Sequence, residues 1–309
     1  MGPARRPDRV RTRGLSLMLA EFSSVLRATM LGIQLGMTLA LVAAGLTLIF
    51  GMLDVINFAH GSLYMIGGYL GVTIASQFGS FWLALLIAPL AVGVVAAAIE
   101  VFGLRALYGR NPLYHILLTF GIAIMVQGLV VEIWGGQSLR IEAPEMLSGT
   151  VSIGPVQYPV YWLFVLAIST VLIAAVWLMI DRSDLGILMR ASAHDTEMVD
   201  ALGIDVSKVF TGVFVFGAIL AGIAGVLLGA SRSVSPGMGF GVIIEAFVIV
   251  VIGGLGSFKG AVYGALLVGL VTAYGALIAP SVTDIFLFAM MAVVLMVRPN
   301  GLFGATEAA

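Results

Sequence analysis

Asp54, Asn57 and His60 recur every three residues in a stretch otherwise made of glycine and hydrocarbon side chains. Ionisable groups at membrane depth are functional candidates by default, because an unpaired charge there is costly. In this pattern the chemistry would be hydrogen bonding to a charged ligand or relay of a proton. A half-helix N-terminus beside them could face a ligand carboxylate. The alternative with equal weight is that these side chains satisfy backbone groups freed where a helix is interrupted. Asp54 and His60 have no third ligand close by in sequence, so no metal site is expected.

A second set of reactive types fills residues 181–208. Asp181, Arg182, Asp184, Arg190, His194, Asp195, Glu197, Asp200, Asp205 and Lys208 form a wet island in an oily chain. Ser192 and Asp195 have the spacing of a capping box, and Asp195 and Glu197 would then occupy an acid-favouring first turn. His194, Met198, Ala201 and Leu202 would share one face of the resulting helix, with Gly203 ending it. A helix of about ten residues is marginal alone and needs its stripe docked. The acidic back disfavours a lipid surface, whose interfacial helices are rich in Lys and Arg. A protein partner is expected.

The elements that position these residues are membrane helices. The chain has 309 residues, 61% hydrophobic and only 10% charged, against roughly 25% charged in soluble domains. Its apolar runs reach about 20 residues, the length that crosses a bilayer. The spacing predicts spans at 28–50, 59–78, 81–103, 113–134, 158–180, 209–231, 241–257, 260–279 and 282–297, with no strand signal. The class is an all-α polytopic integral membrane protein with about eight transmembrane helices plus one broken or re-entrant segment. The chain contains no cysteine, so thiolate catalysis and disulfides are excluded.

Charge placement gives a topology with one conflict. Arg105 and Arg110, and then the island, fall on the cytoplasmic side, while residues 135–157 fall outside. Arg5, Arg6, Arg9, Arg11 and Arg13 would keep the 1–27 arm cytoplasmic. Three full crossings before Arg105 would put that arm outside. Either 51–78 is broken at its glycines, or one glycine-rich helix crosses and the arm is external. The arm is short and lacks interleaved aromatics, so nucleic acid is not an expected partner. Glu100, just before Arg105, is expected to be paired at the inner interface.

Two Gly-Ser-apolar stretches, Gly61-Ser62-Leu63 and Gly256-Ser257-Phe258, suggest corresponding breaks in two halves. Close packing through small residues explains such glycines equally well. The stretch Gly254 to Gly260 is not a nucleotide loop, since it lacks a glycine before Lys259 and a Ser or Thr after it. No HExxH or GxSxG motif points to an intramembrane enzyme.

Several stretches resemble a known family. Arg190-Ala191, Asp195, Ala201 and Gly203-Ile204 are similar to the cytoplasmic coupling loop of ABC importer permeases. Gly45-Leu-Thr-Leu-Ile-Phe-Gly51 followed by Ile56-Asn-Phe-Ala-His-Gly61 resembles the signature of branched-chain amino acid permeases of the LivH type. Gly253-Gly-Leu-Gly-Ser257, Gly260-Ala261 and the ending Arg298-Pro-Asn-Gly-Leu-Phe-Gly304 match further hallmarks in order. The resemblance covers residues 28–304, leaving 1–27 as an arm and 305–309 as a tail.

The resemblance implies a multi-pass permease of the bacterial or archaeal inner membrane. It implies a second related permease, two ATPase subunits that bind ATP and Mg, and an extracytoplasmic solute-binding protein. Leucine, isoleucine or valine is the implied solute, with urea or short amides as the family alternative. Arg190, His194, Asp195, Met198, Ala201, Leu202 and Gly203 would couple to the ATPase. Asp54, Asn57, His60, Gly61, Ser62 and Ser257 are candidates for the translocation path. The competing reading is a gradient-driven secondary transporter using a proton at Asp54, His60 or Glu245, which the docking-like island disfavours.

Overall fold

The structure is a computed structural model that describes residues 8–304, with side chains from Glu21 onward. Arg5 and Arg6 of the basic arm, and the 305–309 tail, lie outside the described residues. The helices are α1 (Asp8–Leu53), α2 (Ala59–Phe78), α3 (Phe81–Phe102), α4 (Pro112–Trp134), α5 (Val160–Arg182), α6 (Asp184–His194), α7 (Thr196–Ala201), α8 (Val206–Ser231), α9 (Met238–Gly253), α10 (Phe258–Ile278) and α11 (Thr283–Val297). Among the described residues, seven helical stretches are long and apolar enough to cross a membrane, and α9 is a shorter apolar helix. All nine expected spans appear as helices; most ends shift by a few residues, but α1 begins twenty residues before its expected start at 28.

One departure is an antiparallel hairpin, β1 (Thr150–Ile153) with β2 (Val156–Pro159), in which Ile153 faces Val156. Its turn is built on Gly154, at φ 58°, and Pro155. Alternation in so short a segment is invisible beside the long apolar runs.

Small residues let the central helices touch at backbone distance. A Cβ at Gly45 would lie 2.5 Å from the Gly217 carbonyl oxygen, and one at Gly67 2.6 Å from Gly222. Without a hydrophobic drive between helices in lipid, this close van der Waals packing is what holds them. The same pairings fix direction. Gly67 faces Gly222 and Gly71 faces Val226, so α2 and α8 run the same way. Gly93 meets Ile219 while Gly222 meets Pro89, so α3 runs against α8. Gly36 faces Ala265 and Gly51 faces Gly256, so α1 runs against α10, which itself runs against α9 through Gly264 and Ile249.

The expected break within 51–78 is present and narrow. The interruption is confined to Asp54–Phe58, and α2 is one unbroken helix. Gly61, Gly67, Gly68 and Gly71 do not break it; they let it press against α8, α9 and the 234 and 141 loops. Since α1 runs opposite to α8, and α8 starts at the island, the Glu21 end of α1 lies at the far end of the bundle from the island.

Buried apolar side chains concentrate on α1, α2, α8 and α9. The peripheral helices keep exposed apolar faces, with Leu117, Val171 and Met296 at 71%, 65% and 85% exposure. In a membrane such faces meet lipid, so their exposure carries no hydrophobic penalty.

Candidate functional site

The break between α1 and α2 is held from α4. Asp54 takes the left-handed conformation, at φ 51°, and its amide still donates to Phe50 O at 3.0 Å. The Phe58 amide donates to the Thr119 hydroxyl at 3.2 Å, and that hydroxyl lies 3.4 Å from the Ile56 carbonyl. Ile49, Val55, Leu63, Leu104 and Phe214 belong to one buried apolar cluster that includes the break.

The side chains at the break are not those that satisfy it. Asn57 is buried, and neither its Oδ1 nor its Nδ2 has a hydrogen-bond partner. His60 is fully buried; its Nε2 lies 3.1 Å from the Val42 carbonyl, and its Nδ1 has no partner. Buried polar groups are nearly always paired; these three atoms are left without a partner, as are both ring nitrogens of His115. Asp54 is exposed, Gly61 packs on Gly239, and Ser62 is buried on α2.

Ser257 lies in the second interruption, between α9 and α10. It caps α10 by accepting from Gly260 N at 3.1 Å. Gly254 and Gly256 take φ of 101° and 78°, and Gly256 sits against Gly51 at the last turn of α1. The orphan carbonyls at the end of α9 accept from the chain's own C-terminus: Leu302 N donates to Ile252 O at 2.8 Å and Phe303 N to Gly253 O at 2.9 Å. The two Gly-Ser stretches thus differ locally, one inside a first helical turn and one as a cap.

The island folds as two helices rather than one. Ser183 caps α6 through Gly186 N at 3.2 Å. Asp195, not Ser192, caps α7, accepting from Met198 N at 2.9 Å; Ser192 is buried inside α6. His194 therefore ends α6 and shares no helix face with Met198. Competing caps explain the correction, since an Asp side chain reaches the N3 amide as readily as Ser does. Gly203 lies just past α7 at φ 85°. Ala201 is exposed, and Met198 and Leu202 are 59% and 72% exposed, while Val199 turns inward. Arg190 donates to the Ile180 carbonyl, which folds α6 back on α5.

A fourth cluster sits where α3, the 104–111 connection and α8 meet. Glu100 is fully buried. Its carboxylate accepts from Arg105 Nε and Nη2 at 3.3 and 3.1 Å, Tyr108 OH at 3.0 Å and Thr211 Oγ1 at 2.7 Å. Burial first, and then the Glu100 charge, pushes the Tyr108 pKa up and keeps its hydroxyl a donor.

The family model described as "Branched-chain amino acid transport system / permease component" matches residues 29–295. The chain belongs to that family. The high-affinity branched-chain amino acid permease BraD of Pseudomonas aeruginosa is 34% identical over 94% of this chain and 99% of its own length. LivH of Escherichia coli K12 is 31% identical with the same coverage, and a probable archaeal LivH, from Methanocaldococcus jannaschii, is 30% identical over 75% of each chain. A solved structure titled "PsaBC from Streptococcus pneumoniae in complex with Fab" matches with TM-score 0.50 at 11% identity, over 88% of this chain and 92% of that one; at that identity the likeness shows the fold alone.

This is thus a multi-pass membrane permease of the branched-chain amino acid ABC transporter family. Its sequence concealed two parts of the sites. His115 is buried and lies against Tyr108, ring centroids 6.4 Å apart. Thr119 gave no signal, since a lone Thr in an apolar helix ordinarily bonds its own i−4 carbonyl, as this one also does with His115 O at 2.8 Å. The Glu100–Arg105 pair was legible by proximity, although a spacing of five does not face on a continuous helix. It forms because α3 ends at Phe102 and a tight turn, Leu104–Leu107, brings Arg105 round.

Proposed function

We propose that this permease is the membrane subunit of an ATP-driven importer of leucine, isoleucine, valine or a related small solute. Of two ATPase subunits, which would bind ATP and Mg, one docks on the α6–α7 island of this chain and the other on the second permease. A second related permease completes the path, and an extracytoplasmic binding protein delivers the solute. The observation that carries the reading is the exposure of Met198 and Leu202 on a short capped helix in an otherwise charged segment. Burying each against a partner would contribute about 1.5–3 kcal/mol. The names of the most similar relatives support the solute class. The unpartnered Asn57 and His60 atoms support placing solute contact at the break.

The test is the double variant Met198→Glu/Leu202→Glu in the assembled transporter. ATPase subunits should no longer co-purify, and ATP-driven leucine uptake into proteoliposomes should fall to background while the chain stays inserted. Normal uptake by this variant would overturn the docking assignment. Uptake of urea or a short amide in preference to leucine would overturn the solute.

A further inference from the structure

Between the island and the break runs a series of side-chain contacts, linked by single helix turns of α8 and α4, with Glu100 at its centre. Asp205 ends the island and caps α8, its carboxylate accepting from Lys208 N at 3.3 Å. Thr211 lies one turn further along and donates to Glu100 at 2.7 Å, and Arg105 Nη2 reaches the same hydroxyl at 2.5 Å. Phe210 meets the Tyr108 ring edge-on at 5.6 Å. Tyr108 also stacks with His115, centroids 6.4 Å apart. Thr119, one turn beyond His115, holds the Phe58 amide of the break.

A fully buried carboxylate is an expensive way to fasten three elements. It is tolerated only when its lone pairs are filled, and a well-packed apolar group often serves stability as well or better. What a charge adds is simultaneous, directional hold on Arg105, Tyr108 and Thr211. Rigid elements joined this way can transmit displacement, provided the joined parts share two arrangements.

We propose that Glu100 is a positioning residue for transport. By gathering Thr211, Arg105 and Tyr108 on one carboxylate it makes the first turns of α8 and the start of α4 move together, and so passes displacement of the island to the Asp54–Phe58 break. The proposal rests on the reading that an ATPase docks on the island.

The experiment compares solute taken up per ATP hydrolysed in proteoliposomes holding the complete transporter and its binding protein. Glu100→Gln should lower that ratio about five-fold or more, within the range of coupling-network mutations, while assembly and basal ATP hydrolysis persist. Thr211→Val should lower it less, and Thr211→Ser should restore it. Glu100→Gln combined with Thr119→Val should be no worse than the poorer single change, since residues on one path do not add. An unchanged ratio, or losses that multiply across Glu100 and Thr119, overturns the proposal. A purely structural Glu100 would reduce the amount of assembled complex and leave the ratio alone. Should Glu100→Gln fail to assemble, Thr211→Val and Tyr108→Phe decide in its place, and an unchanged ratio in both overturns it. A native transporter that shows no ATP-driven uptake overturns the importer reading along with the link; coupled native transport with unaffected variants overturns the link alone.

Discussion

Two interruptions of helix meet near Gly51 and Gly256, and they are finished in opposite ways. The Gly254–Ser257 turn is satisfied from both sides: Ser257 caps α10, and the C-terminal segment covers the last carbonyls of α9. The Asp54–Phe58 break is satisfied along its backbone by Thr119, while the Asn57 amide and one nitrogen of His60 are left buried and open. Glycine supplies positive φ in the first, whereas an aspartate is held there in the second. A chain that could close a turn completely in one place left the other incomplete. The contrast is between a fastening, whose polar groups the chain fills, and the candidate site, where three stay open.

The sharpest way to break the contrast is at the fastening. Gly254→Leu combines left-handed strain of about 1–3 kcal/mol with a side chain whose Cβ would lie 2.4 Å from Gly304 N. It should abolish the folded permease, read as loss of a monodisperse peak in detergent. At the site the signs should split. Asn57→Leu should cut uptake about ten-fold or more, some 1.4 kcal/mol of barrier. It should also raise thermal stability by on the order of 1 kcal/mol, because it removes an unpaired buried amide. A destabilised Asn57→Leu would show that the amide is structural and erase the distinction. The smallest effects form a matched pair. Ser257→Ala should cost about 1 kcal/mol as a lost cap, and Asp54→Gly should gain up to about 1 kcal/mol by relieving its φ, both by thermal unfolding.

The sequence made the helices legible because each carries an uninterrupted apolar run, and it made the island legible because charge is rare elsewhere. It placed Asp54, Asn57 and His60 at an interruption, and the interruption is there. It could not say how wide that interruption is, because a glycine that breaks a helix and a glycine that admits a neighbouring helix look alike; Gly67 and Gly222 differ from a hinge only by what lies opposite. It misassigned the cap of α7 because Ser192 and Asp195 are both competent caps, and the choice is made by α6 extending to His194. It could not reveal Thr119 or His115, whose importance lies wholly in the segment they face.

The C-terminal hook has a consequence for how the chain is made. The carbonyls of Ile252 and Gly253 receive their donors from Leu302 and Phe303, and Phe303 stacks on Tyr263, centroids 5.1 Å apart. A helix end without donors is costly in a bilayer, yet α9 is synthesised some fifty residues before them. The inner corner beside the break is therefore among the last parts to be completed, after α10 and α11 have been inserted. Removing Leu302 and Phe303 would keep every described helix and still leave those two carbonyls without their donors.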